Sequence, residues 1–383
     1  MIPLDCPIQP YAWGSRTFLA TLQGRPTPSS QPEAELWLGA HPTAPSLATV
    51  DGGQVPLGSL IGVSPATMLG PETVAEHGHR LPYLCKLLAA DEPLSLQVHP
   101  DPEQARAGFE RQRQGGFALP TYSDPYAKPE LLVALTDFDA LCGFRDPEIT
   151  LEHLVRLGVP ELTPVVSALA SSTDPGTRLR AAVELLLTWP AAQRAELVAA
   201  VVEAGEPLAA RLARHYPGDV GVVVALLLNQ VRLHPGEALF MPAGNVHAYL
   251  SGAGVEIMGA SDNVLRAGLT PKHVDAAELM RLVRYEVLAD PLFPGHDEGP
   301  GLTVWSPPVR EFRLVRGTAT TTDPVTLPAD GPRIVLCVAG RAQLRAGDAE
   351  ALLTPGEAVF VPASADAVAV SGDAEVFQAA PGR

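Results

Sequence analysis

The stretch Pro235-Gly-Glu-Ala-Leu-Phe-Met-Pro-Ala243 returns almost unchanged as Pro355-Gly-Glu-Ala-Val-Phe-Val-Pro-Ala363. In each copy Pro-Gly is a turn signal, and the residues after it alternate as they do in a short strand. A second match at the same offset pairs Ser251-Gly252 with Ser371-Gly372. A duplicated turn-and-strand unit predicts two related β-barrels or sandwiches within one chain.

The two copies differ in the side chains that can do chemistry. The first carries His247 and Tyr249, whereas the second has Ala367 and Ala369 at the corresponding positions. We therefore expect that the fold was repeated and that chemistry at these positions was kept only in the first copy.

Composition also indicates a β protein. The 383 residues include 34 Gly and 39 Pro, which are scattered between short apolar runs rather than clustered. Frequent turn signals between such runs are typical of many-stranded β architectures. The runs expected to be strands are 83–89, 94–99, 130–135, 237–241 and 333–338.

Residues 146–228 differ from the rest because they are rich in Ala, Leu, Arg and Glu. Within them, Leu179, Val183, Leu186 and Leu187 follow helical spacing, and Asp174-Pro175 just before them is a plausible helix start. A second stripe contains Leu197, Val201 and Val202 and precedes Gly205, a typical helix stop. We expect an inserted helical domain that serves as a packing and lid element without chemistry of its own.

Charge and cysteine usage exclude several functional classes. The net charge of −16 argues against sequence-independent nucleic-acid binding, which needs Lys and Arg to neutralise phosphates. The longest apolar run, 220–228, is far shorter than the ~20 residues of a membrane-spanning helix. The first residues lack the pattern of a secretory signal, and the four Cys lie far apart without a CxxC pair. These features predict a cytoplasmic protein without a thiolate zinc site.

Three segments place polar side chains on one face of a predicted strand. In Leu94-Ser-Leu-Gln-Val-His99, Ser95, Gln97 and His99 alternate with apolar residues. Lys128 and Glu130 share a face in the second segment, as do Asn245, His247 and Tyr249 in the third. One amide, one carboxylate and two imidazoles would form an N/O site of the kind that catalytic zinc accepts. We therefore predict one zinc ion per chain, with the ligands Gln97, His99, Glu130 and His247.

Each of these residues alone is more often a hydrogen-bonded structural side chain than a ligand, and only the three segments together favour a metal. A fourth segment, Asp262-Asn-Val-Leu-Arg266-Ala-Gly-Leu-Thr-Pro-Lys272, offers a guanidinium and an ammonium for an anionic substrate or a developing oxyanion. The alternative for this segment is an Arg266–Asp262 ion pair and a solvated Lys272.

These segments, with several others, resemble the type I mannose-6-phosphate isomerases (phosphomannose isomerases), zinc enzymes of the cupin superfamily. The likeness covers most of the first 280 residues outside the helical block and extends into the last domain. The remaining stretches that carry it are Tyr11-Ala-Trp-Gly14, Ala34-Glu-Leu-Trp-Leu-Gly-Ala-His-Pro42, Leu81-Pro-Tyr-Leu-Cys-Lys-Leu-Leu88, Leu269-Thr-Pro-Lys-His273 and the Pro307–Phe312 region.

The resemblance implies a mainly β chain with two cupin (jelly-roll) β-barrel domains and an inserted α-helical domain. The catalytic cupin would comprise residues 1–145 and 229–284, the helical insertion 146–228, and a metal-free C-terminal cupin 285–383. It also implies reversible interconversion of mannose 6-phosphate and fructose 6-phosphate through a cis-enediol by a monomer. The sugar phosphate would be the partner, with no nucleic acid or membrane involved.

The family's zinc ligands fall on the same four residues that strand alternation suggests, and its catalytic arginine falls on Arg266. We expect Lys128 to shuttle a proton and Asp262 to open the sugar ring. The family's usual histidine before Lys-Pro-Glu is Ala127 here, so no proton transfer by that residue can operate. The residues implied to line the substrate pocket are Ser95, Lys86, Lys128, Lys272, Tyr249, Trp13 and Glu256.

Two other functional classes stay open at this point. A cupin non-haem iron oxygenase would use two His and one carboxylate, but Gln97 fills a position that such enzymes leave open for oxygen. A sugar-phosphate-binding cupin without activity is the other alternative. The complete set of candidate ligands together with Arg266 argues against it.

Overall fold

Antiparallel strand pairing organises the part of the chain described by the computed structural model, residues 1–117 and 120–382. Every ladder between named strands in that part is antiparallel. The strands are β1 (Ile2–Asp5), β2 (Ile8–Gln9), β3 (Glu35–Leu38), β4 (Leu47–Val50), β5 (Gly53–Pro56), β6 (Tyr83–Ala90), β7 (Leu96–Val98), β8 (Glu130–Ala134), β9 (Phe138–Phe144), β10 (Leu228–Leu233), β11 (Ala238–Met241), β12 (His247–Gly259), β13 (Leu265–Gly268), β14 (His296–Asp297), β15 (Leu302–Trp305), β16 (Arg313–Ala319), β17 (Val325–Leu327), β18 (Arg333–Gly340), β19 (Ala342–Ala346), β20 (Ala349–Leu353), β21 (Ala358–Val361), β22 (Val368–Ser371) and β23 (Ala374–Ala380).

Helices occur in three regions: before β6, between β7 and β10, and after β13. Short 3-10 turns at Pro160–Leu162, Ala191–Gln193 and Ala225–Leu227 join several of them. The α-helices are α1 (Phe18–Leu22), α2 (Leu57–Val63), α3 (Pro65–Leu69), α4 (Pro71–His77), α5 (Pro102–Arg113), α6 (Pro147–Leu157), α7 (Thr163–Leu169), α8 (Pro175–Leu187), α9 (Arg194–Glu203), α10 (Pro207–Ala213), α11 (Gly221–Val224) and α12 (Ala276–Leu282).

The strands form sheets of nine, ten and four strands. The ten-stranded sheet contains the order β10-β9-β12-β6-β3-β2, to which β7, β8, β11 and β13 are joined. The nine-stranded sheet runs β14-β15-β16-β23-β18-β21-β1-β4-β5, and the four-stranded sheet runs β17-β22-β19-β20. The strands β1, β4 and β5 come from the N-terminal part of the chain, so the two ends of the chain share one sheet.

The expectation of a mainly β chain is correct only in part, because helices make up 27% and strands 32% of the structure. The predicted helical insertion contains many of these helices, but α2–α4 and α5 lie outside it. Proline at the first helical position of α3, α4 and α5 favours these starts, because its fixed φ suits a helix and its missing N–H has no partner to lose there. The architecture is therefore mixed, with several antiparallel sheets and a helical region.

The helical region folds as its apolar spacing predicts. The side chain of Asp174 accepts a hydrogen bond from the Thr177 N–H at the start of α8. The first stripe is buried, with Leu179 and Leu186 fully inaccessible. After α9, Gly205 takes a φ of +85°, a left-handed conformation that costs glycine little and that ends helices.

The tested strand predictions are also confirmed. The repeated stretches form β11 and β21, four residues each. Both follow a Pro-Gly turn in which Gly236 and Gly356 have φ values of +90° and +86°. The other predicted runs coincide with β6, β7, β8 and β18 to within one or two residues at most ends. Asn245 lies in the turn before β12 rather than in the strand itself.

Strand β12 holds the parts of the candidate site together. Its first residues pair with β9 and β7, and its later residues pair with β6 and β8. The register against β9 shifts between Tyr249 and Ser251, and Gly252 follows with a φ of +118°. This irregularity bends β12, so that it pairs with β9 and β7 before the bend and with β6 and β8 after it.

None of the described helices is by itself long and apolar enough to cross a membrane. The pair Pro175–Leu187 and Ala191–Glu203 meets the length and composition criteria only when both are counted together across an 89° bend.

Candidate metal centre and substrate pocket

Three buried side chains, one directly after β7 and one each on β8 and β12, meet at one point. The ligand atoms of His99, Glu130 and His247 all lie within 4.8 Å of one another. His99 Nε2 is 3.3 Å from Glu130 Oε1, and His247 Nε2 is 3.0 Å from Glu130 Oε2. Three separate segments, of which the third is more than a hundred positions from the other two, therefore converge as strand alternation predicts.

The hydrogen bonds of the two imidazoles show which ring nitrogens are free to bind a cation. His99 Nδ1 lies 2.7 Å from the carbonyl oxygen of Asn263, and His247 Nδ1 lies 3.1 Å from that of Asn245. Because a carbonyl oxygen only accepts, both Nδ1 atoms carry the proton, and a neutral ring then has its lone pair on Nε2. His99 Nε2 is buried without a hydrogen-bond partner among the described residues.

Two nitrogen lone pairs thus face a carboxylate, and all three groups are acceptors. A divalent cation between them would satisfy all three, and two imidazoles with one carboxylate suit zinc. Burial, and next the charge of Lys128, lower the pKa of His99 to about 4. Burial opposes the charged form of Glu130, but the pKa of this carboxyl is held well below its usual range, first of all by the Lys128 ammonium. The donor set therefore fits a metal.

Gln97 lies beside this triad in the strand register. On β7 it is directly opposite His247 of β12 on one side and opposite Arg266 of β13 on the other. Directly opposite residues of antiparallel strands have Cβ atoms about 5 Å apart and point to the same face. The half-buried amide is thus placed between an imidazole of the triad and the guanidinium of Arg266.

A second buried polar cluster surrounds Lys86 of β6. The Lys86 Nζ atom lies 3.2 Å from Glu35 Oε1 and 3.0 Å from Glu256 Oε2. The Tyr249 hydroxyl donates to Glu256 Oε1 over 2.8 Å. Burial raises the pKa of Glu256, although the Lys86 ammonium acts in the opposite direction. For Lys86, burial lowers the pKa, but the carboxylates of Glu256 and Glu35 outweigh it and the net pKa is raised.

Glu35 was not assigned a role from the sequence, yet it completes this cluster. It also accepts a hydrogen bond of 2.7 Å from the indole N–H of Trp37. The available signal was a charged residue within the otherwise apolar run Glu-Leu-Trp-Leu, where an unpaired carboxylate would be costly to bury.

The charged groups of the segment from Asp262 to Lys272 do not form the Arg266–Asp262 ion pair that was the alternative for this segment. Asp262 is paired with His41, whose Nε2 lies 3.1 and 3.0 Å from the two carboxylate oxygens. The side chain of Arg266 is half-buried and makes no hydrogen bond or ion pair within residues 1–117 and 120–382. Lys272 is exposed. His41 was not predicted either, because its partner lies more than two hundred positions away.

Lys128 Nζ lies 2.8 Å from Glu130 Oε1, which brings this predicted catalytic group to the metal triad. Ser95 and Trp13 are half-buried, and Trp13 stacks on Tyr11 with ring centroids 5.7 Å apart. In the described residues, no side-chain hydrogen bond or ion pair links Ser95, Trp13 or Lys272 to the clusters above. The structure thus brings most, but not all, of the predicted site residues into direct contact.

Comparison with known proteins agrees with this geometry. Residues 1–147 match the model of the phosphomannose isomerase type I catalytic domain, and residues 322–381 match that of the mannose-6-phosphate isomerase cupin domain. Mannose-6-phosphate isomerase of Escherichia coli (strain K12) is 37% identical over 369 residues, covering 91% of each chain. The chain belongs to the type I phosphomannose isomerase family.

Other members of the family support the same assignment. Mannose-6-phosphate isomerase 2 of Arabidopsis thaliana is 34% identical, with 92% of this chain and 87% of that protein covered. A crystal structure of a variant of the Salmonella typhimurium phosphomannose isomerase superposes with a TM-score of 0.91 at 35% identity over the full length of both chains. A zinc-bound mannose 6-phosphate isomerase gives a TM-score of 0.89 at 35% identity, covering 100% of this chain and 99% of that one.

Proposed function

We propose that this enzyme interconverts mannose 6-phosphate and fructose 6-phosphate through a cis-enediol, with one zinc ion per chain. The observation that carries the proposal is the pair of buried Nε2 lone pairs facing the Glu130 carboxylate. Gln97, His99, Glu130 and His247 would hold the zinc. When bound, zinc acts as a Lewis acid that polarises an oxygen of the sugar.

The residues around this centre can share the remaining work of the reaction. Isomerisation moves a proton between C1 and C2, so negative charge develops on the sugar oxygens. Arg266 lies beside Gln97 without a partner in the described residues, which suits a group that stabilises this charge. Lys128, in contact with Glu130, is our candidate for moving the proton. Asp262, half-exposed and held by His41, is our candidate for opening the sugar ring.

The cluster around Lys86 suits recognition of a polyhydroxylated substrate. Its ammonium contacts two carboxylates, which leaves one of its three N–H donors for a substrate oxygen. Glu256 and Tyr249 are placed to bind sugar hydroxyls. The family resemblance adds Ser95 and Trp13 to the lining of the pocket. Lys272, which is exposed, would meet the phosphate at the mouth of the pocket. Ala127, buried beside Lys128, supplies no proton-transfer group.

A coupled assay on mannose 6-phosphate tests the function directly. We expect isomerase activity that a chelator abolishes and that zinc restores, with one equivalent of zinc found by mass spectrometry. The activity should be indifferent to oxygen, whereas an iron oxygenase would need it. A preparation that is fully active with no detectable metal would contradict the zinc centre, and one that binds the sugar phosphate without turnover would support a binding protein instead.

We also propose that the sheets close into two cupin barrels, one catalytic and one metal-free. The match of residues 322–381 to a cupin domain and the repeat of β11 in β21 support this. The predicted domain division at residues 145, 228 and 284 stays a prediction, although β10 begins at Leu228 as the helical region ends. The monomeric state and the cytoplasmic location likewise stay predictions.

A further inference from the structure

The side chain of Asn263 fastens a neighbouring segment of the chain, residues 123–126, which we call the strap. Asn263 is fully buried. Its Oδ1 accepts hydrogen bonds from the N–H groups of Ser123 at 2.8 Å and Asp124 at 3.4 Å. Its Nδ2 donates to the carbonyl oxygens of Asp124 at 2.7 Å and Tyr126 at 2.9 Å. One amide therefore satisfies four backbone groups of the strap.

The backbone of the same residue holds a candidate metal ligand. The carbonyl oxygen of Asn263 accepts the 2.7 Å hydrogen bond from His99 Nδ1 described above. This bond fixes both the orientation of the ring and the nitrogen on which the free lone pair lies. Asn263 thus touches the strap with its side chain and His99 with its main chain.

The neighbours of Asn263 reinforce the connection to the strap. The Asp124 carboxylate accepts from the N–H of Asp262 at 2.9 Å and from the hydroxyl of Ser261 at 2.8 Å. The strap then continues through Ala127 to Lys128 and Glu130, where β8 begins. The same group of hydrogen bonds therefore orients His99 directly and anchors the segment that leads into Glu130.

We propose that Asn263 is a positioning residue of the zinc centre, which joins the strap to the orientation of His99. This inference rests on the zinc-dependent function proposed above. Removing the fully buried Asn263 side chain takes away the partner of four backbone groups of the strap and loosens the segment whose carbonyl directs His99. Loss of such outer hydrogen bonds typically weakens metal binding 10- to 100-fold.

The test measures zinc affinity rather than turnover. We expect Asn263→Ala to weaken zinc binding by about 10- to 100-fold in competition with a chromogenic chelator. Hydrogen exchange at the Ser123 and Asp124 amides should become faster in the same variant. The visible spectrum of the cobalt-substituted protein should change as well, because it reports the geometry of the ligands. Asn263→Asp keeps the shape of the side chain and provides a second variant if the alanine variant does not fold.

Asn229→Ala is the matched control. The amide of Asn229 also ties down backbone carbonyls, including those of Cys142 at 3.1 Å and Leu288 at 2.9 Å, but hydrogen-bonds to neither the strap nor Asn263. We expect its zinc affinity and cobalt spectrum to match those of the wild type. Zinc affinity of both Asn263 variants within threefold of the wild type would overturn the inference. A wild-type chain that binds no zinc would instead remove the proposed centre, and this inference with it.

Discussion

The Arg266 guanidinium is half-buried opposite Gln97, and burial lowers its pKa. Its charge has no ion pair in the described residues, so it is available to stabilise charge that develops during the reaction. We expect Arg266→Ala to lower kcat by about 10²- to 10⁴-fold and to change KM much less. Steady-state kinetics on mannose 6-phosphate would measure both. Arg106→Ala, at an exposed position outside the site, should leave both constants unchanged, and a rise in KM alone would make Arg266 a binding residue.

His99 also makes the stability of the zinc-free protein depend on pH. Burial, with the charge of Lys128, lowers its pKa to about 4, whereas an unfolded chain has an ordinary histidine near 6.5. Between these values the unfolded state binds more protons, so stability falls as the pH falls from about 7 toward 4. We expect a loss of about 2 kcal/mol from this residue between pH 7 and pH 5.

Urea unfolding of the chelator-treated protein at these two pH values would measure this effect. His99→Gln should remove most of the difference, and the exposed His79→Gln should leave it unchanged. An equal pH dependence in the wild type and in His99→Gln would show that other groups are responsible.

At the scale of single residues, the sequence predicted the metal triad because alternation reveals which side chains share a strand face. It did not predict the partners of those side chains. Glu35, His41 and Asn263 act through contacts with Lys86, Asp262 and the strap, which depend on how distant segments pack. No local pattern marked His41 or Asn263, because both residue types are common in ordinary loops. For Glu35 the one local signal was a charge within an apolar run.

Strand β12 depends on glycine at the bend that separates its two sets of partners. Gly252 has a φ of +118°, and an added Cβ would lie 2.7 Å from the Asp137 carbonyl oxygen. We expect Gly252→Ala to destabilise the fold by about 3 kcal/mol, because strain in the backbone and a contact with rigid main chain act together. The bend lies between His247 and Glu256, so activity per folded molecule should fall too.

Gly24→Ala is a suitable comparison for this variant. Gly24 also has a positive φ, at +64°, but an added Cβ would meet nothing within 4 Å. We expect Gly24→Ala to lower the free energy of unfolding by only about 1 kcal/mol, as measured by urea unfolding. Equal losses in the two variants would mean that the close approach to Asp137 contributes nothing.

At the scale of elements, the sequence predicted helices and strands best where periodicity was long or repeated. The stripe in α8 and the duplicated β11 and β21 are examples. The helices α2–α4 were not predicted because each is only five to seven residues long. Such short segments show less than two turns of apolar spacing, and their stability comes from packing against the sheets rather than from helix propensity.

The two halves of the whole molecule share both a sheet and a core. Strand β1 pairs with β21, and one core cluster contains Leu36 and Leu87 together with Phe360 and Phe377. The sequence repeat predicts two related units but not this contact, because pairing between distant strands leaves no local pattern. We therefore expect the two halves to unfold together rather than separately.

Tyr83 allows this expectation to be tested at one buried position. Its hydroxyl, on β6, lies 3.0 Å from the Pro332 carbonyl oxygen and 3.1 Å from that of Ala379, both in the C-terminal half. Tyr83→Phe leaves these acceptors without that donor, and we expect it to cost about 1–3 kcal/mol. If the halves are coupled, calorimetry will show a single transition that moves as a whole to lower temperature. Tyr126→Phe, on a partly exposed ring, should barely shift it. A Tyr83→Phe profile with two transitions, of which only the C-terminal one moves, would show that the halves unfold independently.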